Sequence, residues 1–203
     1  QFNYVWDDWD LAAPFLYSQD PSQWLSILAQ PLKFSSNYFR PATVFSFILE
    51  GFFGAKPWVS HGINIVLHCI NSTLVAVVAR NYWSVSPTPT SYLAATTAAM
   101  IYAIHPALME GVVWVSGRFD LMVTFFLLLA FISDFYLKNR IIKAAIVSFC
   151  FLLALLSKEM AITFPAILII FHLSQRQVDW SFKCALHQGH IHEYAGMALA
   201  LTI

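Results

Sequence analysis

Charge is scarce in this chain: Asp, Glu, Lys and Arg together make up 11% of its 203 residues, against about a quarter in a soluble globular domain. A water-soluble chain of this size must still cover its surface with polar groups, so the deficit excludes an ordinary soluble domain with a large core. Eleven basic residues balance eleven acidic ones and there is no basic run, which leaves nucleic-acid binding without an electrostatic footprint. Repeats and low-complexity segments are absent. Of the three cysteines, Cys69 and Cys150 fall in apolar stretches and Cys184 in a loop, so no disulfide framework is expected. The chain opens on Gln1-Phe2-Asn3-Tyr4, without Met or a signal-peptide h-region, and closes within an apolar run. It reads as an internal piece of a longer protein, and the missing signal peptide says nothing of targeting.

What is abundant is apolar surface. Hydrophobic residues reach 59%, with 18 Phe, 7 Trp and 8 Tyr, and mean hydropathy is +0.64. Amphipathic rings collect at membrane interfaces. The expected class is an all-α polytopic membrane protein. Residues 1–57, rich in Asp and punctuated by Pro14, Pro21, Pro31 and Pro41, read as a first extracytoplasmic loop carrying short amphipathic helices. Asp20 is placed to cap a helix opened by Pro21. Pro41 to Phe53 is too short to span, since crossing takes about 20 residues, and it holds Glu50; it is expected to lie on the membrane surface or to form a short buried helix.

Residues 58–173 read as a membrane domain of five transmembrane helices, near 58–79, 92–109, 121–137, 141–156 and 160–173. Residues 174–193 form a cytoplasmic loop, with His187, His190 and His192 given no catalytic meaning, and 194–203 begin a further span. Arg80, Lys138, Arg140, Lys143, Arg176 and Lys183 share one side of this topology, which the positive-inside rule makes cytoplasmic. Acid separates the sides better. Asp7, Asp8, Asp10, Asp20, Glu50, Glu110, Asp120 and Glu159 fall outside, whereas Asp134, Asp179 and Glu193 do not.

Three polar groupings need a reason. In the first span His61, Asn64, His68 and Asn71 recur at steps of three, four and three, one stripe of a helix. The stripe should face the bundle interior, either as glue between helices or, at His61 and Asn64, lining a substrate path. With no acidic partner or third clustered imidazole, it does not suit a metal. If 110–118 is helical, Glu110, Trp114 and Arg118 stack on one face, with Asp120 near enough to share the guanidinium; this is a structural ion pair or the rim of an active site. Asp7 and Asp8 are adjacent and so point in different directions. A solvated turn explains them, as does one facing a cavity while the other pairs locally. Lys158-Glu159 alone would be a hairpin tip.

Taken in order, these motifs resemble the GT-C superfamily of membrane glycosyltransferases, and more closely the tetratricopeptide-containing protein O-mannosyltransferases and their bacterial relatives. The resemblance rests on Asp7-Asp8, Phe39-Arg40-Pro41 with Gly54, His61-x-x-Asn64-x-x-x-His68, His105-Pro106 through Glu110, Trp114, Gly117-Arg118 and Asp120, and Ser157-Lys158-Glu159 with Pro165. It implies a GT-C type helical bundle whose first helix precedes Gln1, with surface-lying helices in the first outer loop. It also implies a polyprenyl or dolichyl phosphate sugar donor, typically of mannose, and transfer to a hydroxyl acceptor on the lumenal or periplasmic side of the endoplasmic reticulum or bacterial inner membrane. The catalytic base of this superfamily is an acid of the first outer loop, which maps to Asp7 or Asp8.

On this reading Arg118 and Lys158 hold the lipid phosphate, Glu110 and Asp120 orient Arg118 or bind sugar hydroxyls, and Trp114 and Trp6 stack on a sugar ring. His61, Asn64, His105 and Glu159 complete the donor site. A divalent metal is allowed but not required, and no metal ligand is assigned. A protein Ser or Thr hydroxyl is one acceptor the resemblance allows, and tetratricopeptide repeats elsewhere would favour it; the fragment alone is expected to be inactive. The competing classes are a transporter or flippase using the His61 to Asn71 stripe, and a non-catalytic membrane scaffold.

Overall fold

The computed structural model describes residues 3–4, 7–18, 20–32, 38–54, 56–83, 88–174 and 191–202. Trp6, Cys184, His187 and His190 lie outside them. All regular structure among the described residues is helical.

The first part is a cluster of short helices: α1 (Asp8–Leu11), α2 (Ala13–Leu16), α3 (Pro21–Leu28) and α4 (Pro41–Gly51). Asp20 caps α3 as the sequence suggests, accepting from the Ser22 amide at 3.0 Å, with Pro21 at the first helical position. The cluster has its own core, in which Phe15, Leu16, Phe47 and Ile48 pack against Val115 and Phe119 of the membrane-domain side. α4 turns Val44, Phe47 and Ile48 into that core and leaves Phe45, Leu49 and Phe52 exposed. It is thus a short buried helix that also presents an apolar outer face. Trp24 of α3 meets Phe45 and Phe52 edge-on along that face.

α2 and α4 approach so closely that a Cβ on Gly51 would lie 2.2 Å from the Leu16 carbonyl oxygen. Backbone cannot yield as a flexible side chain can. Gly51→Ala is expected to destabilise the full-length protein by about 1–3 kcal/mol, measured as a lowered melting temperature. An unchanged melting temperature would show that the α2–α4 contact is looser than described.

The second part is a bundle: α5 (Pro57–Trp83), α6 (Pro89–Ile104), α7 (Pro106–Val113), α8 (Arg118–Tyr136), α9 (Arg140–Leu155), a 3₁₀ turn (Glu159–Thr163), α10 (Phe164–Ser174) and α11 (Ile191–Ala200). α6 starts from a Thr88–Ser91 capping box and α9 from Asn139, which accepts from the Ile141 and Ile142 amides. α5 packs on α6 and α8, α8 on α9, and α9 on α11. Phe151, Phe164 and Leu168 form a second core with Ala130 and Met197.

Among the described residues two helices, Pro57–Tyr82 and Arg118–Tyr136, are long and apolar enough to cross a membrane. A third qualifies if α6 and α7 count as one span; they meet at a 58° bend. Ile65, Val66, Leu93, Ile101 and Phe149 are exposed on the bundle surface, which suits lipid better than water. The span expected over 92–109 therefore breaks where apolarity alone runs on. Pro106 cannot donate to the helix and forces His105 out of helical geometry, to φ −67, ψ 124. A second break follows at Trp114, ψ 136, so 110–118 is not one helix and Glu110, Trp114 and Arg118 do not stack as expected.

Candidate active site

The α7–α8 bend, the 157–159 connection and the start of α1 meet at one end of the bundle, around a cavity of about 510 Å³. Gly117 makes the bend possible: a Cβ there would fall 2.4 Å from the Gly111 carbonyl oxygen. The cavity wall carries three acids (Asp7, Glu110, Asp120), two cations (Arg40, Lys158) and the rings of Tyr102, Trp114 and Phe119.

Asp7 and Asp8 separate as adjacent residues must. Asp8 is fully buried and accepts from the Ser116 amide at 2.8 Å, tying the first helix to the α7–α8 bend. Asp7 occupies the N-cap position of α1, but its side chain makes no capping bond and it lines the cavity. The turn is braced by Trp9, whose indole nitrogen donates to the Tyr4 carbonyl and whose ring meets Tyr4 edge-on.

Arg118 is not at the rim. It is completely buried, and its ion-pair partner is neither Glu110 nor Asp120 but Glu50, at 2.5 Å. Its Nε donates to Asn64 Oδ1 at 3.0 Å, one Nη donates to the Ser60 carbonyl at 3.2 Å, and the guanidinium lies 4.4 Å from the Phe47 ring centre. Ser60 donates to the other oxygen of Glu50. This network joins α4, α5 and α8 behind the cavity wall.

The α5 stripe works as interhelical glue. Asn64 donates to the Trp114 carbonyl, the His68 Nε2 lies 3.1 Å from the Ala103 carbonyl, and Asn71 donates to the Leu121 carbonyl at 2.9 Å. The Ala103 and Trp114 carbonyls lie at the bends of α6–α8 and the Leu121 carbonyl in the first turn of α8, and none of the three side chains lines the cavity. His61 is half-buried and also stands outside the cavity wall. His105 is exposed and caps α7 through its Nδ1, which accepts from the Ala107 amide at 3.2 Å.

Two ion pairs border the cavity. Lys158 Nζ meets Asp120 Oδ1 at 2.5 Å. Arg40 forks onto both oxygens of Glu159, at 2.8 and 2.9 Å from one Nη and 3.1 Å from Nε, while its guanidinium lies 4.5 Å from the Tyr38 ring centre and 4.9 Å from that of Phe119. Arg40 was visible in the sequence only as part of Phe39-Arg40-Pro41. Glu50 was visible as an acid inside an apolar stretch, a group that needs a buried partner. Tyr102 and Thr124, also on the wall, carried no signal that would have singled them out.

Partial burial works against ionisation of Glu159, but the hydrogen bonds and charge of Arg40, with Lys158 adding, outweigh it and hold the carboxyl below its ordinary 4.5. The Arg40–Glu159 pair therefore stabilises the fold above that ordinary value, and the contribution is lost as pH falls through the lowered one. With the Glu159 side chain 57% exposed, the effect is small. Melting curves of the parent and Glu159→Gln are expected to differ at neutral pH and to converge in acid; a gap that persists in acid would mean the glutamine disturbs something other than this pair.

The arrangement is that of a helical membrane protein with acids, paired cations and aromatic rings around one cavity at the end of its bundle. No protein-family model matches the chain, and no solved structure gives a match. Among characterised proteins it is 37% identical over 132 residues to Protein O-mannosyl-transferase Tmtc1 of Drosophila melanogaster, covering 64% of this chain and 15% of that protein. Protein O-mannosyl-transferase TMTC3 of Mus musculus is 32% identical over 145 residues, 68% of this chain and 15% of its own length. Protein O-mannosyl-transferase F38B6.6 of Caenorhabditis elegans is 26% identical over 149 residues, 73% of this chain and 21% of its own. In sequence, then, the chain is a relative of the tetratricopeptide-containing protein O-mannosyltransferases, the GT-C family that its motifs resemble. It spans less than a quarter of the length of these relatives.

Proposed function

We propose that this chain carries the donor site and the catalytic base of a GT-C type glycosyltransferase. The enzyme would move mannose from a polyprenyl or dolichyl phosphate carrier to a hydroxyl of a protein acceptor, on the extracytoplasmic side of the endoplasmic reticulum or bacterial inner membrane. The relatives' names favour mannose and a protein acceptor. The observation that carries the reading is the cavity itself, which gathers Asp7, Glu110, Arg40, Lys158 and Trp114 from segments far apart in the chain.

The reaction is a single displacement. The acceptor oxygen attacks the anomeric carbon while Asp7 takes its proton. The bond from that carbon to the phosphate oxygen breaks, and the electron pair leaves with the phosphate. Lys158 and Arg40, the cations on the wall, offset the charge that develops. Arg118 holds the α4, α5 and α8 walls in register from behind. Glu110 hydrogen-bonds sugar hydroxyls and the Trp114 ring takes an apolar sugar face. Lys158 and Arg40 would turn from Asp120 and Glu159 to the phosphate as the donor binds, so a divalent metal is allowed but not required. A bilayer around the apolar outer surface of the bundle would hold the lipid chain of the donor.

The test uses the full-length protein in vesicles with polyprenyl-phosphate mannose. Lys158→Ala is expected to lower kcat/KM for the donor by about 10- to 100-fold, the worth of one charge-assisted hydrogen bond. Lys158→Arg should recover part of it. Parent-level transfer by Lys158→Ala would remove the phosphate from this cavity. No transfer by the parent from any polyprenyl-phosphate sugar would end the proposal.

A further inference from the structure

Two buried acceptors on α5 play no part in the sugar-transfer reading. α6 and α8 both pack along α5 but meet each other far less, so a seam runs between them with α5 as its floor. Tyr102 of α6 and Thr124 of α8 stand on either side of that seam and line the cavity. Thr124 lies one turn, roughly 6 Å, inside Asp120 at 1.5 Å per residue. On the α5 side are Asn71 and His68, whose ring stacks on Tyr102 with 5.2 Å between centres. His68 is 8% exposed and Asn71 is fully buried. Among the described residues, His68 Nδ1 and Asn71 Oδ1 have no hydrogen-bond partner.

The bonds these two side chains do make fix which atoms are left over. Asn71 faces the Leu121 carbonyl at 2.9 Å. A carbonyl only accepts, so the amide nitrogen must point there and the amide oxygen remains as the free acceptor. His68 Nε2 stands 3.1 Å from the Ala103 carbonyl. That nitrogen therefore carries the hydrogen, and the neutral ring keeps a lone pair at Nδ1. Residues 68 and 71 are three apart and share one helix face. Two acceptors thus lie near each other in an apolar bundle, which is costly unless a donor reaches them.

We propose that His68 Nδ1 and Asn71 Oδ1 hold a buried water molecule, which ties them to the Tyr102 hydroxyl and fixes that ring on the cavity wall. Water offers two hydrogens, one for each acceptor, and a lone pair for the Tyr102 O–H. The Tyr102 hydroxyl approaches the side chains of Thr124 and Asn71, and Thr124 gives its own hydrogen to the Asp120 carbonyl at 2.9 Å. The cavity beside Tyr102 supplies the water and lets it exchange. A larger donor, such as a sugar hydroxyl, stops at Tyr102, because His68 and Asn71 stand outside the cavity wall. His68 and Asn71 are then positioning residues, acting on a ligand through Tyr102. The rival is a proton on His68, whose Nδ1–H would serve Asn71 Oδ1 directly; it puts a cation in an apolar seam, which is costly.

The experiment is a map of the full-length protein in a lipid nanodisc, at a resolution that shows ordered water, with nitrogen NMR spectra of its histidines. The expected result is a peak about 2.7–3.2 Å from both His68 Nδ1 and Asn71 Oδ1, with a neutral His68 ring protonated at Nε2. His68→Gln, which offers both a donor and an acceptor, should keep the peak, and His68→Leu should lose it. No peak between the two acceptors, or a charged ring in direct contact with Asn71, would overturn the proposal. The positioning role rests on the sugar-transfer reading and is read from kinetics. His68→Leu and Tyr102→Phe should each raise KM for polyprenyl-phosphate mannose by about 3- to 10-fold, the worth of one hydrogen bond, with kcat near the parent. The double variant should lose no more than either alone, and His68→Gln should recover most of the loss. Effects that multiply, or an unchanged KM in both single variants, would overturn that role. A parent that transfers no sugar would end the sugar-transfer reading and the positioning role with it, while the map alone decides the water.

Discussion

Asp7→Asn in the full-length protein is expected to lower kcat for sugar transfer by about 10²- to 10⁴-fold, the range lost with a general base. Donor binding and melting temperature should stay close to the parent, because the Asp7 side chain lines the cavity and makes no capping bond. Asp8→Asn is the contrasting variant. Asp8 is buried on the Ser116 amide, and asparagine keeps an oxygen that can accept that bond. A milder loss of rate is expected, with destabilisation of about 1–3 kcal/mol as a charged acceptor becomes neutral. Full activity in Asp7→Asn with an inactive, well-folded Asp8→Asn would exchange the two roles.

Breaking the Glu50–Arg118 pair should give the largest change in stability. Both side chains are completely shielded from solvent, so removing one leaves the other charge buried and uncompensated, a cost of about 3–5 kcal/mol. Against a total stability of about 5–15 kcal/mol, Arg118→Met or Glu50→Gln is expected to unfold much of the protein or sharply lower its melting temperature. The double variant Glu50→Gln/Arg118→Met should recover part of the loss, since a neutral pair demands no compensation. Arg118→Lys should recover little, because one ammonium cannot serve Glu50, Asn64 and the Ser60 carbonyl in the same fixed directions. A single variant that melts like the parent would show that the pair is not buried as described.

How far the sequence reached depends on how far apart in the chain the interacting groups are. Helical structure and membrane character follow from composition and apolar run length. The α5 stripe follows from helical periodicity, and the structure adds only which carbonyls it meets. The divergence of Asp7 and Asp8 follows from their adjacency, though which of them faces the cavity depends on where the Ser116 amide arrives. Pairing failed where a near neighbour outcompeted a distant one on paper. Asp120 stands two residues from Arg118, yet the bend at Trp114–Gly117 turns Arg118 inward to Glu50 and leaves Asp120 outward for Lys158. Glu50 inside an apolar helix was the available clue, because a buried carboxylate always implies a partner. Arg40 and Glu159 are 119 residues apart, and only the folded chain brings them together.

The most direct measurement is the structure of the full-length protein with a polyprenyl-phosphate mannose, or a non-transferable analogue, bound in a lipid nanodisc. The phosphate is expected within hydrogen-bond reach of Lys158 and Arg40, the sugar against Trp114 and Glu110, and the Asp7 carboxylate facing the open side of the anomeric carbon. A donor whose phosphate lies outside this cavity, with Asp7 turned to water, would contradict it.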